Sequence, residues 1–118
     1  MTVEEFYQAV GGDYKTALSR MMNDDFIKRM LTKFLANNAF HLIKEGFDQK
    51  DAKAMFEGAH AFKGVTANLA LDNLNQKTCV IVEAVRHYED IKEFDLHQEM
   101  KDLEDAYLLT KSKLEELL

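Results

Sequence analysis

The chain has 118 residues, 31% of them charged and 47% hydrophobic, a length that supports one hydrophobic core rather than two. Fifteen Lys and Arg against 21 Asp and Glu leave a formal charge of −6. That balance argues against nucleic acid as a partner, because phosphate binding needs a concentrated basic surface. The longest strongly apolar run is Cys79-Val80-Ile81-Val82, far short of the roughly 20 residues of a membrane span.

The opening Met1-Thr2-Val3-Glu4-Glu5 lacks the basic segment and apolar stretch of a secretory signal. The single Cys79 has no internal disulfide partner, and no Cys/His spacing resembles a zinc site. The expected compartment is therefore the cytoplasm. With no proline, six methionines and abundant Leu, Ala, Lys and Glu, the composition is that of a helical protein.

In chain order, a short helix is expected near Val3–Val10, interrupted by Gly11-Gly12, and a second near Tyr14–Met22 with Asp13 as its cap. Asn23-Asp24 opens a longer segment, Asp25–Leu35, with Phe26, Met30, Leu31, Phe34 and Leu35 at helical spacing. Asn37-Asn38 breaks or bends it. Phe40, Leu42, Ile43 and Phe47 continue the pattern, with Gly46 as the expected stop. Asp51 is placed to cap a helix running to Leu69 or Leu71, Asp72 another to His87, and Asp95 the last, to the C-terminus. No strand-like alternation, repeat or linker interrupts this series. The reading is a single domain over residues 1–118, all-α, an antiparallel four-helix bundle preceded by one or two short N-terminal helices.

The segment Ala52–Leu71 carries most of the functional information. Met55, Ala59, Phe62, Thr66 and Leu69 step by four, three, four and three and form one core-facing seam. At about 100° per residue, His60 points about 140° from the middle of that seam, which places it in solvent. Around it lie Phe56 and Glu57 one turn before, Lys63 and Gly64 one turn after, and Ala67 a further turn on. Exposed helix surfaces normally carry long polar side chains, and a mid-helix glycine costs about 1 kcal/mol relative to alanine. Small residues beside a histidine are accounted for by clearance. An imidazole with room around it can be approached by another protein, and Lys63 at i+3 can reach an anion held on the ring. Imidazole is a nucleophile near neutral pH, its unperturbed pKa being about 6.5. These are the requirements of a phosphoryl carrier. The plainer account of the same residues is an incidental surface histidine, with Gly64 present only to let another helix pack closely.

The string Ala59-His60-Ala61-Phe62-Lys63-Gly64-Val65-Thr66-Ala67-Asn68-Leu69-Ala70-Leu71 resembles the signature of histidine-containing phosphotransfer (HPt) domains. The family's pattern is a His, then Lys-Gly at the third and fourth following positions, then a small-residue stretch with Asn-Leu-Gly or similar. Gly12-Asp13-Tyr14 through Arg20, Phe34-Leu35, and Leu74, Cys79 and Glu83 resemble the family's flanking landmarks in the same order, so the likeness covers most of residues 3–110. One departure is Ala70, where the family usually has glycine, and a slightly different helix end is expected there.

The resemblance implies a phosphorelay intermediate of two-component signalling. His60 would be the phosphoacceptor, with Lys63 and Gly64 beside it. The partners implied are a response-regulator receiver domain and a sensor or hybrid histidine kinase. The receiver would supply the acceptor aspartate, a magnesium ion and its own lysine; this chain would need no cofactor of its own. Docking residues would be Phe56, Glu57, Ala67 and Asn68, with Gln76 and Lys77 on the adjoining helix. The chain is expected to be a monomer; a free domain and a piece of a larger kinase are both compatible with the sequence, and Met1 mildly favours the first. A rival reading keeps the fold as a non-phosphorylated adaptor or inhibitor.

The remaining candidates carry less. His41, His87 and His97 each have a carboxylate one turn away, as 21 acidic residues produce by chance, and none has a second His or a Cys nearby. Cys79 reads as a small core residue. No Gly-rich loop with a lysine could cradle nucleotide phosphates, so the chain is read as a carrier and not as a kinase or other enzyme acting from ATP.

Overall fold

A computed structural model describes residues 1–118. The chain is all-α: α1 Val3–Val10, α2 Tyr14–Met21, α3 Asp24–Ala36, α4 Ala39–Asp48, α5 Ala52–Asn68, α6 Asp72–Val85, a 3-10 turn Tyr88–Asp90, and α7 His97–Leu117. Helix starts follow the caps closely. Thr2 and Glu5 form a reciprocal capping box on α1, and Asp13, Asn23 and Asp51 accept the backbone N–H of Thr16, Phe26 and Ala54. At Asn37-Asn38 the chain breaks, as expected. The Asn37 side chain accepts the Ala39 N–H at 2.9 Å and starts α4 afresh.

Two expected caps differ. Asp72 is the first residue of α6 and makes no side-chain cap, Leu71 occupying the N-cap position. Its charge still complements the positive end of the helix dipole. Asp95 lies one residue ahead of the α7 N-cap, Leu96, and accepts the His97 N–H at 3.3 Å. Helix α6 ends at Val85 rather than His87, and the chain then tightens into the 3-10 turn.

Gly46 is the clearest correction. It does not stop α4, which continues to Asp48. It is buried where α4 crosses α5, and a Cβ built there would lie 2.8 Å from the Met55 backbone nitrogen. Gly58, on α5, meets α4 in the same way, its Cβ position 3.0 Å from the Ile43 nitrogen. The two glycines let the antiparallel pair α4–α5 close backbone to backbone.

Helix α5 packs between α4 and α6, and α7 packs against α6, α1 and α4. The seam read from the sequence is the buried one: Met55, Ala59, Phe62, Thr66 and Leu69 are all in the core. Phe62 meets Phe34, Phe40 and Tyr107 at ring-centroid distances of 5.9, 6.2 and 6.1 Å, and Phe40 stacks on Tyr107 at 4.0 Å. One aromatic cluster thereby joins α3, α4, α5 and α7. The molecule is 46 Å long and 20–23 Å across, and no helix is long and apolar enough to cross a membrane.

Replacing Gly46 with Ala should destabilise the fold by about 1–3 kcal/mol, because the new methyl group would press on backbone that cannot rotate away. Denaturant unfolding measures it, and a neutral or stabilising result would mean that α4 and α5 are not in backbone contact.

Candidate functional site

Helix α5 places one face in the core and the opposite face in solvent, and His60 stands on the open face. Its ring stacks on Phe56 at 5.7 Å with 30° between planes, and Phe56 in turn meets Tyr88 of the 3-10 turn at 5.5 Å. The half-buried Phe56 and Tyr88 form an aromatic footing beneath the exposed imidazole. Nothing local in the sequence marks Tyr88, since only the fold brings this turn against α5.

Around Gly64, a Cβ would meet nothing within 4 Å. The glycine therefore serves no helix packing, in contrast to Gly46 and Gly58. With Ala67 exposed one turn on, the surface C-terminal to His60 is low and unobstructed. Lys63 is half-buried and its ammonium takes part in no ion pair or side-chain hydrogen bond. Its side chain leaves α5 on the side facing α6, where Asn75 donates to the Lys63 carbonyl and to Thr66 Oγ1, each at 3.0 Å. Cys79 is half-buried rather than in the core, and its thiol lies 3.7 Å from Asn75 Oδ1.

The C-terminal end of the site is held from outside α5. Ala70 takes a left-handed φ of +54°, and the Leu71 N–H donates to the Thr66 carbonyl while the Ala70 N–H donates to that of Ala67. This is the Schellman arrangement, for which glycine is the usual residue. The α1–α2 turn braces it. The Tyr7 hydroxyl donates to the Leu69 carbonyl at 2.7 Å, the Asp13 N–H to that of Ala70 at 2.9 Å, and the Arg20 guanidinium to that of Ala67 at 2.6 Å. Burial pushes the Tyr7 phenol well above its ordinary pKa, so the hydroxyl stays a donor. Arg20 also places a cation at the negative end of the α5 dipole.

Glu57 is exposed on the same helix and lies 4.0 Å from Lys53; Asn68, also exposed, is the last residue of α5. Gln76 is exposed on α6, whereas Lys77 is half-buried there. Lys77 lies two residues, about 200°, round α6 from Asn75, so the structure does not bring it to the α5 side with the others. His41, His87 and His97 are exposed and separate, His41 lying edge-on to Tyr107 at 6.1 Å. No three His, Cys, Asp or Glu side chains converge as metal ligands would. None of the five main surface clefts is lined by His60, Lys63 or Gly64. The arrangement leaves an imidazole exposed on an open helix face. Compared with protein-family models, curated proteins and solved structures, the chain matches none.

Since nothing lies near the Gly64 Cβ position, Gly64→Ala should raise stability, by up to about 1 kcal/mol, through helix propensity alone. A loss of stability in denaturant unfolding would show that the position is packed and the surface less open than described.

Proposed function

We propose that the chain is a phosphorelay intermediate of the histidine-containing phosphotransfer type, with α4–α7 as its antiparallel four-helix bundle and His60 as the phosphoacceptor. The observation that carries this reading is the unobstructed His60 imidazole beside an unpaired Lys63 and an empty space at Gly64. The resemblance of Ala59–Leu71 to the family signature supports the same residues independently of the geometry.

In the proposed reaction a ring nitrogen of His60 attacks the phosphorus of an aspartyl phosphate on a receiver domain. The new N–P bond forms as the P–O bond to the aspartate breaks, and the aspartate leaves as a carboxylate. Transfer onward is the reverse, toward another receiver. Such transfers depend on in-line positioning and charge stabilisation more than on covalent help. This chain would contribute the nucleophile, the ammonium of Lys63 near the phosphoryl oxygens, and a docking face of Phe56, Glu57, Gly64, Ala67 and Asn68, with Gln76 at its edge. The receiver would bring the aspartate and magnesium, and a sensor or hybrid histidine kinase would stand upstream. On this reading the protein is a cytoplasmic carrier, acting as a monomer, and not an ATP-using enzyme.

Incubation with a phosphorylated receiver should give an acid-labile, alkali-stable phosphoprotein, and His60→Gln should abolish it while circular dichroism stays unchanged. Label that persists in this variant would assign the phosphate to His41, His87 or His97 and overturn the proposal. A parent protein that binds receivers without ever taking label would favour the adaptor reading.

A further inference from the structure

Lys63 is without an ionic partner although a carboxylate lies on the facing helix. Asn75, Cys79 and Glu83 recur every four residues along α6 as one stripe; Asn75 bonds across to Lys63 and Thr66 of α5, and Glu83, exposed further along, lies within range of the Lys63 charge. Helical side chains lean toward the N-terminus of their own helix. In an antiparallel pair, the Lys63 side chain therefore leans past Asn75 toward the Glu83 end of the stripe. Glu83 is not free to meet it. Arg86, at the C-cap of α6, holds both of its oxygens, Nε to Oε2 at 3.0 Å and Nη2 to Oε1 at 2.5 Å. These bonds hold the Glu83 carboxyl below the usual carboxylate range, with the charges of Arg86, Lys63 and His87 acting in the same direction.

We infer that Arg86 is a positioning residue that occupies Glu83 and so keeps the Lys63 ammonium available for an anion on His60. The inference rests on the phosphocarrier reading for its consequence, though the charge arrangement itself is independent of it. A two-toothed guanidinium–carboxylate fork is geometrically selective in a way that a lysine–carboxylate contact is not. With Arg86 present the carboxylate is drawn along α6, and with Arg86 absent the strongest positive charge left acting on it is that of Lys63, ahead of His87. A carboxylate seated on Lys63 would repel an incoming phosphoryl group and take the place that its oxygens need. The fork thus separates two neighbouring opposite charges so that one of them can act.

The experiment compares the parent, Arg86→Ala, and Arg86→Ala with Glu83→Gln. One measurement is the acetylation rate of Lys63 by an N-hydroxysuccinimide ester, followed by peptide mass spectrometry, with the exposed Lys15 as internal reference. The other is the rate at which phosphoramidate phosphorylates His60, the donor's P–N bond breaking and ammonia leaving as the ring N–P bond forms. Arg86→Ala should lower both rates roughly two- to fivefold, the size of effect expected of an exposed ion pair, and Glu83→Gln in that background should restore both. Unchanged Lys63 labelling in Arg86→Ala, or a loss that Glu83→Gln does not restore, would overturn the inference. Labelling that falls and recovers as described, with no phosphate on His60 in any variant given either phosphoramidate or receiver, would uphold the charge arrangement and overturn the carrier reading instead.

Discussion

The burial of Phe62 is the constraint from which the site follows. Its ring is locked among Phe34, Phe40 and Tyr107, and that contact sets the rotation of α5 about its axis. Two residues earlier on the same helix, His60 lies about 200° away, so it faces solvent for as long as Phe62 stays in the core. The rotation is reinforced on both flanks. Gly46 and Gly58 bring α4 against one side of α5, and Asn75 of α6 bonds to Lys63 and Thr66 on the other. His60 lines none of the five main surface clefts, so its position is set by the helix that carries it.

The α5–α6 turn shows how the rest of the chain serves the same helix. Ala70 sits in a left-handed conformation that favours glycine, and the α1–α2 segment compensates with three hydrogen bonds, from Tyr7, Asp13 and Arg20, to the carbonyls of Leu69, Ala70 and Ala67. The two short N-terminal helices are thereby more than an appendage. They brace the end of α5 that carries Ala67 and Asn68, the C-terminal edge of the proposed docking face.

Much of this was legible in the sequence where the signal is local. Thr, Asp and Asn caps mark helix starts because their side chains meet N–H groups only two or three residues away, and the Met55–Leu69 spacing identifies the buried seam and, by difference, the exposed His60. What escaped is long-range. Gly46 reads as a helix stop because glycine commonly ends helices, whereas its role comes from a backbone 9 residues further on, at Met55. Gly64 and Gly58 are indistinguishable as letters, yet one faces open space and the other a neighbouring helix. Asn75, Tyr88 and Arg20 act across contacts between elements that no periodicity encodes, and Gln76 and Lys77, neighbours in sequence, point about 100° apart on α6.

On the phosphocarrier proposal, the empty space at Gly64 is the approach path to His60. The measurement that tests it most directly is the rate of phosphoryl transfer from a phosphorylated receiver as side-chain volume at position 64 rises from Gly through Ala to Gln, with unfolding free energy as the control. Gly64→Ala should transfer nearly as fast as the parent, and Gly64→Gln should fold with undiminished stability but transfer and bind far more weakly. If Gly64→Gln transfers as fast as the parent, the open face around His60 is not where a phosphoryl donor docks.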